Sequence, residues 1–200
     1  MDKPKAAREI IAATLPHVAF DGWSMRALSH GAKDAGYSKT DVIRVFPSGS
    51  MQAVDYFFAL CDDDLQSALQ DYHLESMKIR ERITLAVRLR ISIHASHPEA
   101  LRRAISLYML PFYLPRGMHS LYRTLDTIWH AIGDNSTDFN FYSKRATLAG
   151  VYIATLNHWL NDTSPGHQAS WDYLDRRIED VMKIEKLKQK IRNLITQQGL

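Results

Sequence analysis

The chain has 200 residues, and its 46% hydrophobic and 10% aromatic content is typical of a globular protein and excludes a disordered one. Its 25 basic and 22 acidic residues leave a net charge of +3, too small a surplus to indicate nucleic-acid binding by itself. Cys61 is the single cysteine, so an intramolecular disulfide is excluded and a reducing compartment is expected.

The periodicity of the apolar residues predicts an all-α protein. Apolar residues recur every three or four positions along most of the chain, which predicts about nine or ten helices in a single domain, residues 1–200. The first helix is expected to end at Pro16 and the second to begin after Ser24. A third begins after Ser38, because Asp41 stands at its third helical position and can complete a capping box.

The middle and the end of the chain continue the helical pattern. Long helices are predicted over 51–72 and 75–95, and another begins at Pro98. Pro111 and Pro115 must then interrupt the helix, because proline lacks an N–H and clashes with the preceding turn. Helices resume over 118–132, 138–160, 168–182 and 184–197. No segment is apolar for the roughly 20 residues that a membrane span needs.

The segment AKDAGYSKTDVIRVFPSG, residues 32–49, has the layout of a helix-turn-helix. It resembles the DNA-binding unit of TetR repressors, which implies a TetR-like helical bundle with this unit within residues 1–50. Ile43 stands where that family commonly has Tyr, and Gly49 where it usually has Lys. Residues 1–60 carry seven basic and six acidic side chains, whereas phosphate binding needs a clear positive surplus. We favour a unit kept for packing; the alternative is a ligand-responsive TetR-type repressor.

Four further segments carry a second resemblance: LPHVAFDGWS (15–24), RERITLAVRLR (80–90), RTLDTIWHAIGDNSTDFNFYSKRATLAGVYIATLNHWLND (123–162) and SWDYLDRRIEDVMKIEKLKQK (170–190). They resemble the ubiquinone biosynthesis accessory family, which has a TetR-like fold. The resemblance implies a non-catalytic protein that binds a polyprenyl quinone precursor at the membrane and presents it to the demethoxyubiquinone hydroxylase. It also implies that the protein does not bind a specific DNA sequence and that it forms a homodimer.

The same resemblance implies a partner-binding patch. The family contacts the hydroxylase through the pattern Asp-x-x-Trp-Tyr-x-x-Arg, which appears here as Asp138, Phe141, Tyr142 and Arg145. Spacings of three, four and seven put these four on one helical face, which we expect to be at least partly exposed. The stripe continues through apolar residues, so a core-facing helix is the alternative; these residues are Leu148, Tyr152, Leu156 and Trp159.

A lipid-binding body is expected over residues 51–182. Burial of hydrocarbon stabilises by ~0.8 kcal/mol per CH₂, so a protein that binds a polyprenyl chain needs an apolar cavity. The candidate lining is the proline-interrupted segment with two aromatic residues from elsewhere: Met109, Leu110, Phe112, Tyr113, Leu114, Trp129 and Tyr152. Two prolines are expected to splay the helices and open the space. An ordinary core with a kinked helix is the alternative.

Residues 183–200 are expected to form a separate amphipathic helix that contacts the membrane. Its apolar residues fall within an arc of about 100°, with basic residues outside it, as in interfacial helices. The candidate contacts are Ile184, Leu187, Lys188, Ile191, Arg192, Leu194 and Ile195. Packing on the body or in a dimer is the alternative. We expect a peripheral protein at the cytoplasmic face of the membrane, or on the matrix side of the mitochondrial one.

No catalytic motif occurs in the sequence. Neither Glu-x-x-His, HExxH, GxGxxG nor a P-loop is present, and His94 and His97 have no further ligand in pattern. Cys61 precedes three aspartates, which should raise its pKa. We therefore predict a non-enzyme without metal or cofactor.

Overall fold

The structure, a computed structural model, describes residues 2–133 and 139–197, without the side chains of 139–142 and 184–197. Within those ranges the chain forms nine α-helices and no strand, which confirms the predicted all-α class. The helices are α1 (Lys3–Asp21), α2 (Met25–Asp34), α3 (Lys39–Val45), α4 (Ser50–Leu69), α5 (Ile79–Ser92), α6 (Pro98–Tyr108), α7 (Leu114–Ala131), α8 (Phe139–Leu160) and α9 (Gln168–Gln197).

Two predicted helix starts are confirmed with their caps. The Ser24 hydroxyl accepts a hydrogen bond from the Ala27 N–H at 3.1 Å and caps α2. Ser38 and Asp41 form the predicted capping box: the Asp41 N–H donates to Ser38 Oγ at 3.2 Å, and the Ser38 N–H donates to Asp41 Oδ2 at 3.0 Å. These local hydrogen bonds satisfy N–H groups that have no partner inside the helix.

The prediction that the first helix ends at Pro16 is wrong, because α1 continues to Asp21. Pro16 and Ala12, whose carbonyl loses its helical bond, both lie on the exposed side, where water can replace that bond. Val18 is fully buried beyond the proline, and its packing favours continuation of the helix.

The predicted break between residues 182 and 184 is also wrong. α9 is one helix of 30 residues that passes through Lys183, so the expected separate C-terminal helix is the second half of a longer one. Residues 168–197 contain neither glycine nor proline, so nothing in the local sequence stops the helix.

Close packing fixes the helix-turn-helix unit on the rest of the bundle. Gly31 of α2 lies directly against α1, where a Cβ atom would be 2.2 Å from Thr14 Oγ1 and 2.6 Å from Thr14 Cα. The Trp23 indole N–H donates to the Ala100 carbonyl at 2.9 Å and ties the unit to α6. Leu148, Tyr152, Leu156 and Trp159 of α8 are buried, as expected for a core-facing stripe.

The membrane-span expectation can be checked on the same residues. None of the described helices combines the length and the apolar character needed to cross a bilayer.

Candidate functional site

Exposed apolar side chains concentrate where α6 gives way to α7. Eleven large apolar side chains are exposed among those described, and six of them fall within residues 109–122. We call these six the α6–α7 surface: Met109, Leu110, Phe112, Leu114, Met118 and Tyr122. Phe112 is 86% exposed and Met109 68%. Contiguous apolar patches on soluble proteins mark interaction or ligand-binding sites.

Two prolines and a tight turn project the first part of this surface outward. α6 ends at Tyr108, and the Leu110 carbonyl accepts hydrogen bonds from the N–H groups of Tyr113 and Leu114, each at 2.9 Å. Pro115 lies in the first turn of α7, where its missing N–H costs no hydrogen bond. The predicted interruption by the two prolines is confirmed.

The second part of the surface is a stripe along α7. Leu114, Met118 and Tyr122 are four residues apart and therefore lie on one face of the helix. Gly117 faces α6, where a Cβ atom would lie 2.8 Å from Tyr108 Cβ. The glycine allows α7 to pack tightly on α6 and leaves the stripe facing away from it.

The opposite side of α7 is polar and borders an open cleft of about 450 Å³. The lining residues are Asp55, Pro115, Arg116, His119, Ser120 and Arg123. Arg116 forms an ion pair with Asp55, whose other oxygen accepts a hydrogen bond from the Tyr108 hydroxyl at 2.7 Å. Burial and this hydrogen bond raise the pKa of Tyr108. α7 thus presents an apolar stripe on one side and a polar cleft on the other.

A buried ionic network lies beneath α7 and joins it to α4 and α5. The Arg90 guanidinium is fully buried and donates through Nε to Asp62 Oδ1 at 2.8 Å. The same carboxylate accepts from Thr124 Oγ1 at 2.8 Å and from Arg123 Nε at 3.1 Å. Arg123 and Thr124 belong to α7, so the helix that carries the exposed stripe is held from below by charge-assisted hydrogen bonds.

His94 and Cys61 extend this network. Arg90 Nη1 lies 2.7 Å from His94 Nε2, and burial together with the Arg90 charge lowers the pKa of His94 well below its usual value. The imidazole is therefore neutral and can accept from the guanidinium. Burial, as the larger cause, and nearby aspartates raise the pKa of Cys61 to about 11, which confirms the predicted direction. Its thiol stays protonated at neutral pH, which does not suit a nucleophile.

The structure divides the predicted lipid-binding residues into two groups. Trp129 and Tyr152 are buried in the core, at 6% and 4% exposure, and Tyr113 is half-buried. The other four form part of the α6–α7 surface: Met109, Leu110, Phe112 and Leu114. The proline-interrupted segment is thus an exposed surface where the sequence suggested a cavity wall, and its role in lipid binding stays a prediction.

One predicted partner-binding residue can be placed. Arg145 is buried rather than exposed, and both its Nε and Nη2 donate to Asp126 Oδ1 of α7, at 2.9 and 2.6 Å. Next to it, Lys144 Nζ lies 5.5 Å from the centre of the Trp129 ring. The start of α8 is therefore anchored on the end of α7. Asp138 and the side chains of Phe141 and Tyr142 lie outside the described part of the structure.

The predicted membrane contacts all lie in the second half of α9, whose side chains are not described. These residues are Ile184, Leu187, Lys188, Ile191, Arg192, Leu194 and Ile195. Among the described residues, no three His, Cys, Asp or Glu side chains are grouped so that they could hold a metal ion.

Sequence reasoning missed the Arg90–Asp62 pair. A signal for it exists: Arg90 follows Val87 by three residues and precedes Ile91, so it interrupts the apolar stripe of α5. Asp62 similarly lies four residues after Phe58 and three before Leu65 on the buried face of α4. Opposite charges inside two apolar stripes indicate a buried pair.

Comparison with known proteins shows what this chain is similar to. The COQ9 family model matches residues 114–185, from the start of α7 into α9. The mitochondrial ubiquinone biosynthesis protein COQ9 of Rattus norvegicus is 32% identical over 182 residues, 88% of this chain and 58% of that protein. The chain is therefore similar in sequence to COQ9 proteins over most of its own length. The Homo sapiens protein of the same name is 30% identical, over 88% of this chain and 57% of its own length.

This relationship confirms the resemblance found in the sequence. The chain spans less than three-fifths of the length of these curated COQ9 relatives. Its fold is also similar to a TetR transcriptional regulator from Nitrosomonas europaea ATCC 19718, with a TM-score of 0.70, 86% of this chain and 95% of the regulator covered. The two are 15% identical, so the likeness confirms the TetR-like fold alone.

Proposed function

We propose that this COQ9 relative is a non-catalytic lipid-binding protein of ubiquinone biosynthesis. It holds a polyprenyl quinone precursor and presents it to the demethoxyubiquinone hydroxylase. The observation that carries the proposal is the α6–α7 surface, where six apolar side chains face solvent within 14 residues. The name of the similar proteins, ubiquinone biosynthesis protein, supplies the pathway.

The presence of an apolar stripe and a polar cleft on the same helix, α7, suits an amphiphile. A polyprenyl quinone has a long apolar chain and a ring with polar oxygens. The stripe of Leu114, Met118 and Tyr122 offers contact for the chain, and the cleft on the other side of α7 offers donors from Arg116 and Arg123 for the ring. Each CH₂ that leaves water on this stripe stabilises the complex by ~0.8 kcal/mol.

The proposed partner face lies close to the proposed lipid site. Arg145 and Lys144 fasten the start of α8 to Asp126 and Trp129 of α7. From Met118 to Asp126 is eight helical residues, or about 12 Å at 1.5 Å per residue. A hydroxylase bound at the start of α8 would therefore stand next to the lipid, as presentation of a substrate requires.

Location and assembly follow the same proposal. The curated relatives are named mitochondrial, and we extend that location, at the matrix face of the membrane, to a chain of eukaryotic origin; a bacterial chain would be cytoplasmic. The second half of α9 supplies a peripheral membrane contact, and the protein is a homodimer.

Lipid extraction from the purified protein, followed by mass spectrometry, tests the lipid part. A polyprenyl quinone or its precursor should be recovered from the wild type. Met118→Asp should reduce its amount, because a carboxylate on the stripe opposes apolar contact. Ile153→Asp is the matched control, since Ile153 is similarly exposed, at 51% against 60%, but lies on α8. Absence of any prenyl lipid in the wild type would contradict the proposal.

Tyr142→Ala tests the partner part. If Tyr142 anchors the hydroxylase, truncation should weaken binding by about thirtyfold, since an aromatic hot spot contributes about 2 kcal/mol or more. Calorimetric binding and thermal unfolding should be measured on the same variant. Tyr72→Ala, at a tyrosine 44% exposed on another part of the molecule, is the control. A large loss of thermal stability with unchanged affinity would show that Tyr142 is a packing residue.

A further inference from the structure

We propose that the tip between α6 and α7, formed by Met109, Leu110 and Phe112, inserts into the surface of an anionic lipid bilayer. This contact is independent of the second half of α9. It rests on the membrane location within the proposed function and deepens it, but it requires no bound quinone.

The tip has the exposure of an interfacial anchor. Phe112 is 86% exposed, Met109 68% and Leu110 48%, so the turn places three apolar side chains in contact with water. The Phe112 ring packs edge-to-face with the half-buried Tyr113 ring, with 5.3 Å between the ring centroids. Apolar side chains at such a projection bind the boundary between headgroups and acyl chains.

The charges around the tip select the kind of bilayer. Between Glu99 and Asp126 the sequence contains no acidic residue, but it contains His119 and four arginines: Arg102, Arg103, Arg116 and Arg123. Each of these arginine side chains is 36–45% exposed.

Their counter-charges do not balance them. The four arginines and the buried Arg90 pair with only three carboxylates: Glu99, Asp55 and Asp62. Five positive charges paired with three negative ones leave a surplus of +2 over α5, α6 and α7, the helices that include both arms of the tip. Basic residues beside a membrane surface favour anionic lipid by about 1 kcal/mol each.

The same surplus disfavours a second copy of this chain as the occupant. A twofold interface brings the same patch of both copies together, so the two positive surpluses would face each other. A neutral polyprenyl chain, by contrast, has no charge that these arginines would complement.

Vesicle flotation of the full chain tests the proposal. Binding to vesicles of phosphatidylcholine with phosphatidylglycerol should exceed binding to phosphatidylcholine alone, and added salt should reduce the difference. Phe112→Ser should lower the partition coefficient to the mixed vesicles about tenfold, equivalent to about 1.4 kcal/mol. Tyr72→Ser is the control, because Tyr72 is an exposed aromatic residue, at 44%, outside the α6–α7 surface, and it should bind like the wild type.

A second background separates this contact from α9. Full-length Ile191→Asp removes an apolar residue of the other proposed membrane contact, and Phe112→Ser in that background should produce the same fold loss as in the wild type. The readout does not depend on quinone: vesicle binding that fails in Phe112→Ser while the wild type yields no prenyl lipid would support the tip and refute the lipid part of the proposed function.

Fluorescence gives a direct measure of insertion. The four native tryptophans are all buried, at 2–6% exposure, so Phe112→Trp adds an exposed reporter. Brominated lipids should quench its emission when vesicles are added. Unchanged vesicle binding of Phe112→Ser, an equal loss in Tyr72→Ser, or absence of quenching would each overturn the proposal. A Phe112→Ser chain that loses only self-association in sedimentation would overturn it as well.

Discussion

The helix-turn-helix unit and the α6–α7 surface differ in where they place apolar side chains and in how they balance charge. In the former, Leu28, Val42 and Val45 are buried, and Arg44 of α3 lies 3.7 Å from Asp41. In the latter, six apolar side chains are exposed and the surrounding arginines outnumber their carboxylates. The unit that resembles a DNA-binding device buries most of its apolar side chains, with Ile43 exposed, and residues 1–60 have a net charge of +1. The larger group of exposed apolar side chains lies between α6 and α7. The proposed function therefore rests on the α6–α7 surface and not on the helix-turn-helix unit.

The largest effect is expected from the network that supports the α6–α7 surface from below. Asp62→Asn would leave the buried Arg90 and the adjacent Arg123 without their shared carboxylate, at a cost of about 3–5 kcal/mol in the free energy of unfolding. Thr124→Val removes a single hydrogen bond to Asp62 and should cost about 1 kcal/mol. Urea unfolding of both variants measures the difference. Equal, small losses would show that the carboxylate does not hold α7 in place.

The next effect concerns the packing of the helix-turn-helix unit. Gly31→Ala would place a methyl group against the Thr14 backbone and should destabilise the protein by about 1–3 kcal/mol. Gly150→Ala is the matched control, since it is also a helical glycine but has nothing within 4 Å of the added Cβ. It should stabilise by about 0.5–1 kcal/mol through helix propensity. If thermal unfolding ranks the two variants in the opposite order, α1 and α2 are not in close contact.

A smaller effect is expected from pH. The pKa of His94 is depressed in the folded state, so below the usual value of 6.5 the unfolded chain binds a proton that the folded one does not. Stability should therefore fall with decreasing pH, by up to about 1.4 kcal/mol per pH unit from this group. His94→Gln keeps an acceptor for Arg90 and should show a shallower slope between pH 7 and 5. Parallel slopes for the two proteins would place the titrating group elsewhere.

The smallest effect is expected on DNA. α3 offers only Lys39 and Arg44 as basic side chains, and residues 1–60 have a net charge of +1. Binding to duplex DNA should be weak and independent of sequence even at low salt, and Arg44→Ala should hardly change it. An operator-specific footprint at nanomolar protein and physiological salt would restore the repressor alternative.

Local signals predicted the fold better than the site. The caps at Ser24 and Ser38 and the proline interruption after α6 depend on neighbours within four residues, and all three are confirmed. The prediction that α1 ends at Pro16 was wrong, because a helix tolerates a proline on its exposed side, and the local sequence does not show which side of α1 is exposed.

The candidate site depends on tertiary packing, which periodicity does not specify. The apolar segment after α6 was predicted as a cavity wall, because composition does not tell whether a neighbouring helix covers it. Arg145 was expected on the surface, since its partner Asp126 comes from α7 and is not visible in the pattern of α8. The pair of Arg90 and Asp62 was missed for the same reason, because the two residues are 28 positions apart in the chain and belong to different helices.

The continuity of α9 fixes the orientation of whatever its end contacts. Residues 183–197 extend the helix by about 22 Å at 1.5 Å per residue, as a rod without a hinge. Its rotational phase then decides which side of the body faces the contact, because each residue turns the helix by about 100°. One alanine inserted after Lys183 would rotate the end of the helix by about 100° relative to the body. Seven inserted residues would nearly restore the original orientation, because they complete almost two turns. The number of residues in α9 thus sets the orientation of the protein relative to whatever the end of this helix contacts.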